Sequence, residues 1–582
     1  MSPNLTVAQP RMATCEGTGA ELVCQALLAA GVDVLFGVPG DTGVALYDAL
    51  RSSAELRHVL MNDERGAVFA ADAYARCTNR PGVVEVSSGG GATFCIGGLG
   101  EALAAAIPMV VISSDIQTSS RGSGALTETD QLGLFAAVTK WRGVAQTAAD
   151  LPRLIAEAFE NAMHGRPGPA VIIVPENVLD ERASVRAQCA TTLDGPRRVR
   201  AHEDNIRQIA EALATAERPV IIAGGGVHLS QAYREIEELA VLTGAAVGTS
   251  IHGKGAIAET HPLSLGVIGA NGGRDYATDF VSEADFALLV GTRANSTDTD
   301  GFRAPPRDAV IAVVDIDLDS RAIHNYPNAY VATGDAATVL AQLVKALPRR
   351  APRSNEILEH HLATLARDWR TRVDLRTSKP PLLAPWQVME RVHAALPSNA
   401  TVVADCGTPT PYLGAHWQVD TAGRSVVTPR GHGPMGYALP ASLGVAAARP
   451  ADHVLTFTTD GSLVMAAGAL ETAARNNIPV IVVHFNNGSL GWIKALQHYY
   501  HDSRYFNTQL SNFDAVGVAA GFGLEATRVT SLADVSAAVY RALESRRPTF
   551  IDVPTPDEHD ALPPVASWQR ASKGEDIARP AY

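Results

Sequence analysis

The chain predicts an α/β protein made of three doubly wound parallel-sheet blocks. Three observations carry that expectation. Its 582 residues exceed what a single hydrophobic core organises, and about three domains is the natural division. Apolar runs of strand length alternate with helical stretches along most of the chain, as in parallel sheets covered on both faces. Two polar stretches, Arg182–Arg200 and Pro348–Pro381, interrupt that rhythm and read as linkers.

The first block, residues 17–182, is expected to run helix Thr18–Ala30, strand Val32–Val38, helix Thr42–Arg51, strand His58–Asn62, helix Glu64–Thr78, strand Gly82–Ser87, helix Ala92–Ala106 and strand Pro108–Ser114. Helix Leu151–His164 and strand Ala170–Pro175 close it. Residues 1–16 lack a basic end followed by an apolar core, so they read as a disordered leader and not a secretory signal. Residues 183–200 form the first linker. The second block, 201–348, offers strands Pro219–Ala223, Ala245–Gly248, Phe286–Val290 and Val310–Asp315, with a Gly224-Gly225-Gly226 turn that opens a dinucleotide-type fold. Residues 349–382 are a second, partly helical linker. The third block, 383–556, carries helices Trp386–Leu396, Tyr437–Ala448, Leu463–Asn476 and Ala533–Ser545 and strands Thr401–Asp405, Val454–Phe457 and Val480–Phe485. Residues 557–582 remain as a C-terminal tail. Blocks one and three share a rhythm, as a duplication would produce.

Composition narrows the function. A hydrophobic content of 46% with 19% charged residues fits a soluble globular protein. A net charge of −13 argues against nucleic acid and anionic membrane surfaces as partners. No apolar run approaches the ~20 residues that cross a bilayer. The six cysteines are scattered without a C-x-x-C pair, which reads as the reduced thiols of a cytoplasmic protein.

The richest stretch is Thr459-Asp460-Gly461-Ser462 followed by Asn486-Asn487-Gly488-Ser489. Each half ends an apolar run and so marks the carboxyl end of a buried parallel strand. Side by side, those ends bring a carboxylate (Asp460), an amide oxygen (Asn487) and oxygens of the Ser489 loop to one point. Such hard ligands suit Mg²⁺ completed by phosphate oxygens and water. Gly461 and Ser462 then open a helix whose first N–H groups suit phosphate. A metal–diphosphate site at the top of a parallel sheet follows.

This pair resembles the cofactor motif of the thiamine diphosphate (ThDP) enzymes, with Thr459 replacing the motif's first glycine. Two further segments carry the resemblance. Asn62-Asp63-Glu64-Arg65-Gly66-Ala67 is similar to the H-E-x-x-A segment, with Asp63 in place of His; by that match Glu64 contacts the pyrimidine ring. Gly431-His432-Gly433-Pro434-Met435-Gly436 with Leu439-Pro440-Ala441 resembles the G-x-G-x-M-G-x-x-L-P-A run of acetolactate-synthase-like enzymes. There Met435 supports the bent cofactor and the Gly433 carbonyl accepts from the aminopyrimidine. Gly407-Thr408 would form a second wall around the diphosphate. The resemblance implies pyrimidine, central and diphosphate domains in blocks one to three. It also implies ThDP and Mg²⁺ as cofactors, and a homodimer as the smallest active unit, with a homotetramer common.

The reaction implied is decarboxylation of a 2-oxo acid such as pyruvate, followed by ligation to a second carbonyl. The alternatives are release of an aldehyde, or flavin-linked oxidation. Pro39-Gly40-Asp41 matches the P-G-D of simple decarboxylases, whose aspartate helps proton transfer; a helix N-cap is the plain reading of Asp41. The decarboxylases' His-His pair has no counterpart between Ser114 and Gln131. Gly122–Asp130 resembles a synthase segment, with Leu126 and Thr127 replacing its Phe and active-site Gln, and Phe94 and Leu496 depart likewise. The substrate pocket therefore reads as atypical. FAD in the central domain would use Gly224–Gly226, Gly269–Gly273 and Arg293, loops that decarboxylases keep empty. The segment Gln497–His501 offers imidazoles and phenols that could close over the site.

Overall fold

A computed structural model describes residues 12–188, 198–348, 355–374 and 382–574. Each block forms one six-stranded sheet, and every pairing within the three sheets is parallel. The chain divides into two compact units, residues 1–196 with 443–449, and residues 197–442 with 450–582.

The first sheet comprises Val34–Gly37, Arg57–Leu60, Gly82–Val86, Met109–Asp115, Trp141–Val144 and Pro169–Pro175, which lie side by side in the order second, first, third, fourth, sixth, fifth. The third sheet, of Ala400–Ala404, Val426–Val427, His453–Thr459, Val480–Asn486, Glu525–Arg528 and Thr549–Pro554, has the same order. The rhythm noticed in the sequence is thus a shared topology. The middle sheet, of Pro219–Ala223, Ala246–Thr249, Ser264–Val267, Phe286–Val290, Val310–Asp315 and Tyr330–Thr333, runs third, second, first, fourth, fifth, sixth, the dinucleotide-fold order.

Strands covered on both faces read as continuous apolar runs, and those were the ones legible in the sequence. In Phe286–Val290, Phe286, Leu288 and Val290 face one core while Ala287 and Leu289 face another. The strands missed were mostly edges. Trp141–Val144, Ser264–Val267, Tyr330–Thr333, Val426–Val427 and Glu525–Arg528 are short and lie at or next to sheet margins, where one neighbour suffices and no apolar run is needed. Thr549–Pro554 escaped for another reason. Asp552 interrupts its apolar run, and is tolerated because it is paired with His484 on the adjacent strand, 2.8 Å away.

Two expectations need correction. The end of the supposed leader is not disordered: Met12–Thr18 is a strand, paired antiparallel with Arg182–Gln188, the start of the supposed linker. A two-stranded ribbon needs alternation and no long apolar run, so both halves passed as polar connectors. Residues 1–11 and 189–197 lie outside the described part. Nor is 557–574 a loose tail. Helix Ala566–Ala571 buries Trp568 completely, and that indole packs on Trp492 at 4.4 Å between ring centres. The second linker is partly helical as expected, over Glu356–Asp374.

Helix Glu64–Thr78 matches its predicted bounds. Asp63 caps it, accepting from the Gly66 N–H at 2.6 Å. Arg76 in its last turn is buried between Asp72 (2.7 Å) and Glu101 (3.0 Å), so that end cannot slide without stranding a charge.

Candidate functional site

Candidate residues fall at the carboxyl ends of the strands of the first sheet and, separately, of the third. In the third sheet, His453–Thr459 and Val480–Asn486 are adjacent parallel strands, so Asp460 and Asn487 emerge side by side as the spacing predicts. The helix after the first strand starts at Asp460, three residues earlier than expected, because Thr459 is extended and supplies the N-cap. Asp460 is 1% exposed. Its Oδ2 accepts from the Asn487 N–H (3.0 Å) and the Gly488 N–H (3.2 Å). Its Oδ1 has no hydrogen-bond partner, and His484 Nε2, also without one, stands 3.6 Å away. Burial pushes the Asp460 carboxyl above the usual range, against the opposing pull of His484 and the amides.

A buried carboxylate oxygen without a partner, next to the oxygen-bearing turn Asn487–Ser489, is a donor set that fits a hard divalent cation. Asn487 Oδ1 is held by the Ser489 N–H and hydroxyl, both at 3.1 Å. Ser489 is itself buried, and its hydroxyl also reaches Asp557 at 3.1 Å.

Asn487 and Ser489 line a cavity of about 270 Å³ together with Gly407, Thr408, Gly433, Met435, Gly461 and Ser462, and Asp460 stands between two lining residues, Thr459 and Gly461. Gly407 and Gly433 have φ of +82° and +79°, which suits glycine and turns both loops inward. A side chain at Gly461 would lie 2.7 Å from Met435 Cε, so its absence lets the methionine cross the first turn of the helix. The expected companions of the metal–diphosphate motif therefore surround one space. It lies where the strand order reverses, between the ends of Ala400–Ala404 and His453–Thr459, the position at which open α/β sheets bind ligands.

Two residues here escaped the sequence reading. Asp405, fully buried, accepts from the Tyr437 and Ala438 N–H groups (2.9 and 3.0 Å) and the Thr458 hydroxyl (2.8 Å), fastening the Met435 loop to the sheet. Burial pushes its carboxyl up to about 6. Glu558, also buried, accepts from the Thr408 hydroxyl (2.7 Å) and the Asn487 amide nitrogen (3.1 Å), and burial pushes it up to about 7. Both follow strand ends in the same sheet as Asp460 and Asn487, and that was the available signal.

In the first sheet, Glu64 opens its helix half-buried, its carboxyl raised first by burial and then by Asp63. A Cβ at Gly91 would stand 3.0 Å from both Glu64 Oε1 and Ser87 Oγ, so the carboxyl lies over the start of helix Gly90–Phe94. Because Asp63 takes the capping role, Glu64 is left for other work. Asp41 is not the N-cap of its turn; Gly40 holds that position and Asp41 is exposed as the first residue of Asp41–Gly43. Thr127, where the resemblance places an active-site Gln, has φ +67°, strained for a β-branched residue. Its hydroxyl meets Ser88 at 2.8 Å.

Glu85 in strand Gly82–Val86 is a buried acid that the sequence reading passed over. The Tyr47 hydroxyl donates to it and also contacts His58 at 3.1 Å, while Glu85 Oε1 has no partner. Burial pushes this carboxyl up to about 8, with Glu64 adding to the rise. An acid raised in the folded state binds a proton that the unfolded chain has lost, so stability falls as pH rises from about 4.5 to about 8. Glu85→Gln, which needs no proton, is expected to raise Tm at pH 8 and to match the parent near pH 4.5. Parallel melts across that range check it; a constant difference would remove Glu85 as the cause.

The other named residues lie elsewhere. Leu496 is buried against Trp568 and Val565 and does not line the cavity. His498 stacks on His559 (4.9 Å) and bonds the Tyr505 hydroxyl at 2.7 Å, also off the cavity. Some of the residues offered to a flavin make close contacts within the chain. Cβ atoms at Gly224 and Gly226 would strike the Gly291 loop, and Arg293 donates to the carbonyls of Arg430 (3.0 Å) and Gly431 (3.2 Å).

Comparison with known proteins agrees with this layout. Residues 17–134, 206–343 and 405–553 match, respectively, the N-terminal TPP binding domain, the central domain and the C-terminal TPP binding domain of thiamine pyrophosphate enzymes. The chain belongs to the thiamine pyrophosphate enzyme family. Among curated relatives it is 32% identical to the probable acetolactate synthase large subunit of Methanocaldococcus jannaschii, over 94% of this chain and 93% of that protein. It is 31% identical to the acetolactate synthase isozyme 2 large subunit of Escherichia coli, over 94% and 97%, and 31% identical to the acetolactate synthase large subunit of Corynebacterium glutamicum, over 96% and 90%.

Proposed function

We propose that this chain is a ThDP- and Mg²⁺-dependent enzyme that decarboxylates a 2-oxo acid and joins the retained fragment to a second carbonyl compound, acetolactate-synthase-like with a different substrate pocket. The observation that carries this reading is the unpartnered Asp460 Oδ1 next to the turn of Asn487, which lines a cavity with Gly407, Gly433 and Gly461. Relatives named acetolactate synthase subunits over nine-tenths of the chain support the reaction class.

In this reading Asp460, Asn487 and Ser489 hold Mg²⁺ and, with Gly407, Thr408, Gly461 and Ser462, the diphosphate. Met435 supports the coenzyme and the Gly433 carbonyl and Glu64 hold its aminopyrimidine. When bound, ThDP supplies the electron sink for breaking the bond to the departing carboxylate. The chain's part is to orient reactants, exclude water and manage protons, and Glu64, with its raised carboxyl, holds a proton against the ring.

The pocket departs from the family pattern at Leu126, Thr127 and Phe94. Leu126 and Phe94 are 86% and 64% exposed, which suits coverage by a second subunit and supports a homodimer or homotetramer. Aldehyde release without ligation is the second reading, favoured by Asp41 standing exposed in its P-G-D turn. A cytoplasmic location fits the scattered cysteines, which include no C-x-x-C pair; no helix among the described residues is long and apolar enough to cross a membrane.

The test is to incubate the pure protein with ThDP, Mg²⁺ and a panel of 2-oxo acids, alone and with aldehydes, following CO₂ and then product mass. A ligation product is expected. CO₂ with only the simple aldehyde would establish the second reading, and no CO₂ from any acid would refute both.

A further inference from the structure

The segment after strand Thr549–Pro554 carries two consecutive acids, Asp557 and Glu558, and both engage the loop assigned to metal and diphosphate. Asp557 accepts from the Ser489 hydroxyl (3.1 Å) and the Lys494 ammonium (2.7 Å). Glu558 takes the Thr408 hydroxyl on one oxygen and the Asn487 amide nitrogen on the other. The orientation of that amide is fixed from two sides. The Ser489 N–H can only donate, so the amide oxygen must face it; the amide nitrogen must then find an acceptor, and Glu558 is that acceptor. Room for the carboxylate comes from a glycine. A Cβ at Gly491 would lie 1.9 to 2.1 Å from the carboxyl atoms of Glu558. Downstream, the buried Trp568 packs on Trp492 of the same helix that Gly491 begins, so the segment is pinned at both ends.

We infer that Glu558 is a positioning residue of the coenzyme site: it fixes the Asn487 amide so that its oxygen is presented for the metal, and holds the Thr408 wall of the diphosphate pocket to the Asn487 wall. The two walls come from different strands, and the carboxylate of Glu558 bonds to both. This rests on the ThDP–Mg²⁺ reading and assigns within it a role to a residue outside the recognised motif. Partners that orient metal ligands in this way typically cost 10- to 100-fold in affinity when lost.

The experiment measures ThDP affinity of the full-length coenzyme-free protein by titration calorimetry at saturating Mg²⁺, with far-UV circular dichroism and coenzyme-free Tm as folding controls. Glu558→Ala is expected to weaken binding by about tenfold or more. Glu558→Gln, whose amide can still accept from Asn487, is expected to recover most of it. Gly491→Ala should mimic Glu558→Ala in the parent, because the new methyl evicts the carboxylate, and should add little once Glu558 is already alanine. That non-additivity is what a merely structural glycine would not show. Unchanged affinity in Glu558→Ala, or equal losses from Gly491→Ala in both backgrounds, would overturn the inference. A parent protein that binds no ThDP would instead refute the reading beneath it.

Discussion

Glu64→Gln is expected to lower turnover by at least ~10²-fold, the scale of a positioned acid–base group. The substitution is close to isosteric. The helix keeps its Asp63 cap and its Arg76 anchor, and the amide fits over Gly91 where the carboxyl lay. On the proposed function, what is lost is the capacity to hold and return a proton against the coenzyme's ring, which the raised carboxyl of Glu64 suits. The measurement is kcat on whichever 2-oxo acid the parent accepts, with circular dichroism and Tm as controls. Full activity in a folded variant would remove Glu64 from the chemistry. A loss of activity with lowered Tm would leave only a structural role.

Asp460→Ala is expected to abolish Mg²⁺-dependent retention of ThDP. The side chain offers one oxygen to two loop amides and leaves the other open, so on the proposed function alanine deletes a metal ligand and loosens the Asn487 turn together. Asp460→Asn separates the two effects. Its amide oxygen can still accept from Asn487 and Gly488, but its charge is gone. It is expected to keep the coenzyme-free Tm of the parent and yet bind ThDP far more weakly when Mg²⁺ is present. Dialysis against Mg²⁺ with quantitation of retained coenzyme reads both variants. Full occupancy in either would exclude Asp460 as a ligand.

Much of this architecture was legible in the sequence, for a stated reason. Strands buried on both faces must be apolar along their length, and the loops after them must carry whatever polar chemistry the sheet supports. That rule found Asp460, Asn487 and the Met435 loop from local pattern. Glu558 was missed although the same rule applies, because Asp552 breaks the strand before it. The charge of Asp552 is acceptable only because His484 stands beside it, a fact about a neighbouring strand and not about local spacing. Thr408 and Glu558 meet across about 150 residues of chain, and no periodicity reports such a pairing. The ribbon was missed because short alternating polar strands look like connectors until their partner is known.

The ribbon has a consequence of its own. Met12 lies opposite Gln188, so the peptide that enters the first block and the peptide that leaves it are neighbours. A module whose ends meet can be transplanted, inserted or circularly permuted without rethreading its sheet. Its address along the gene is then free to change while its architecture persists, which is the property that lets one ancestral piece be copied and reused within a longer polypeptide.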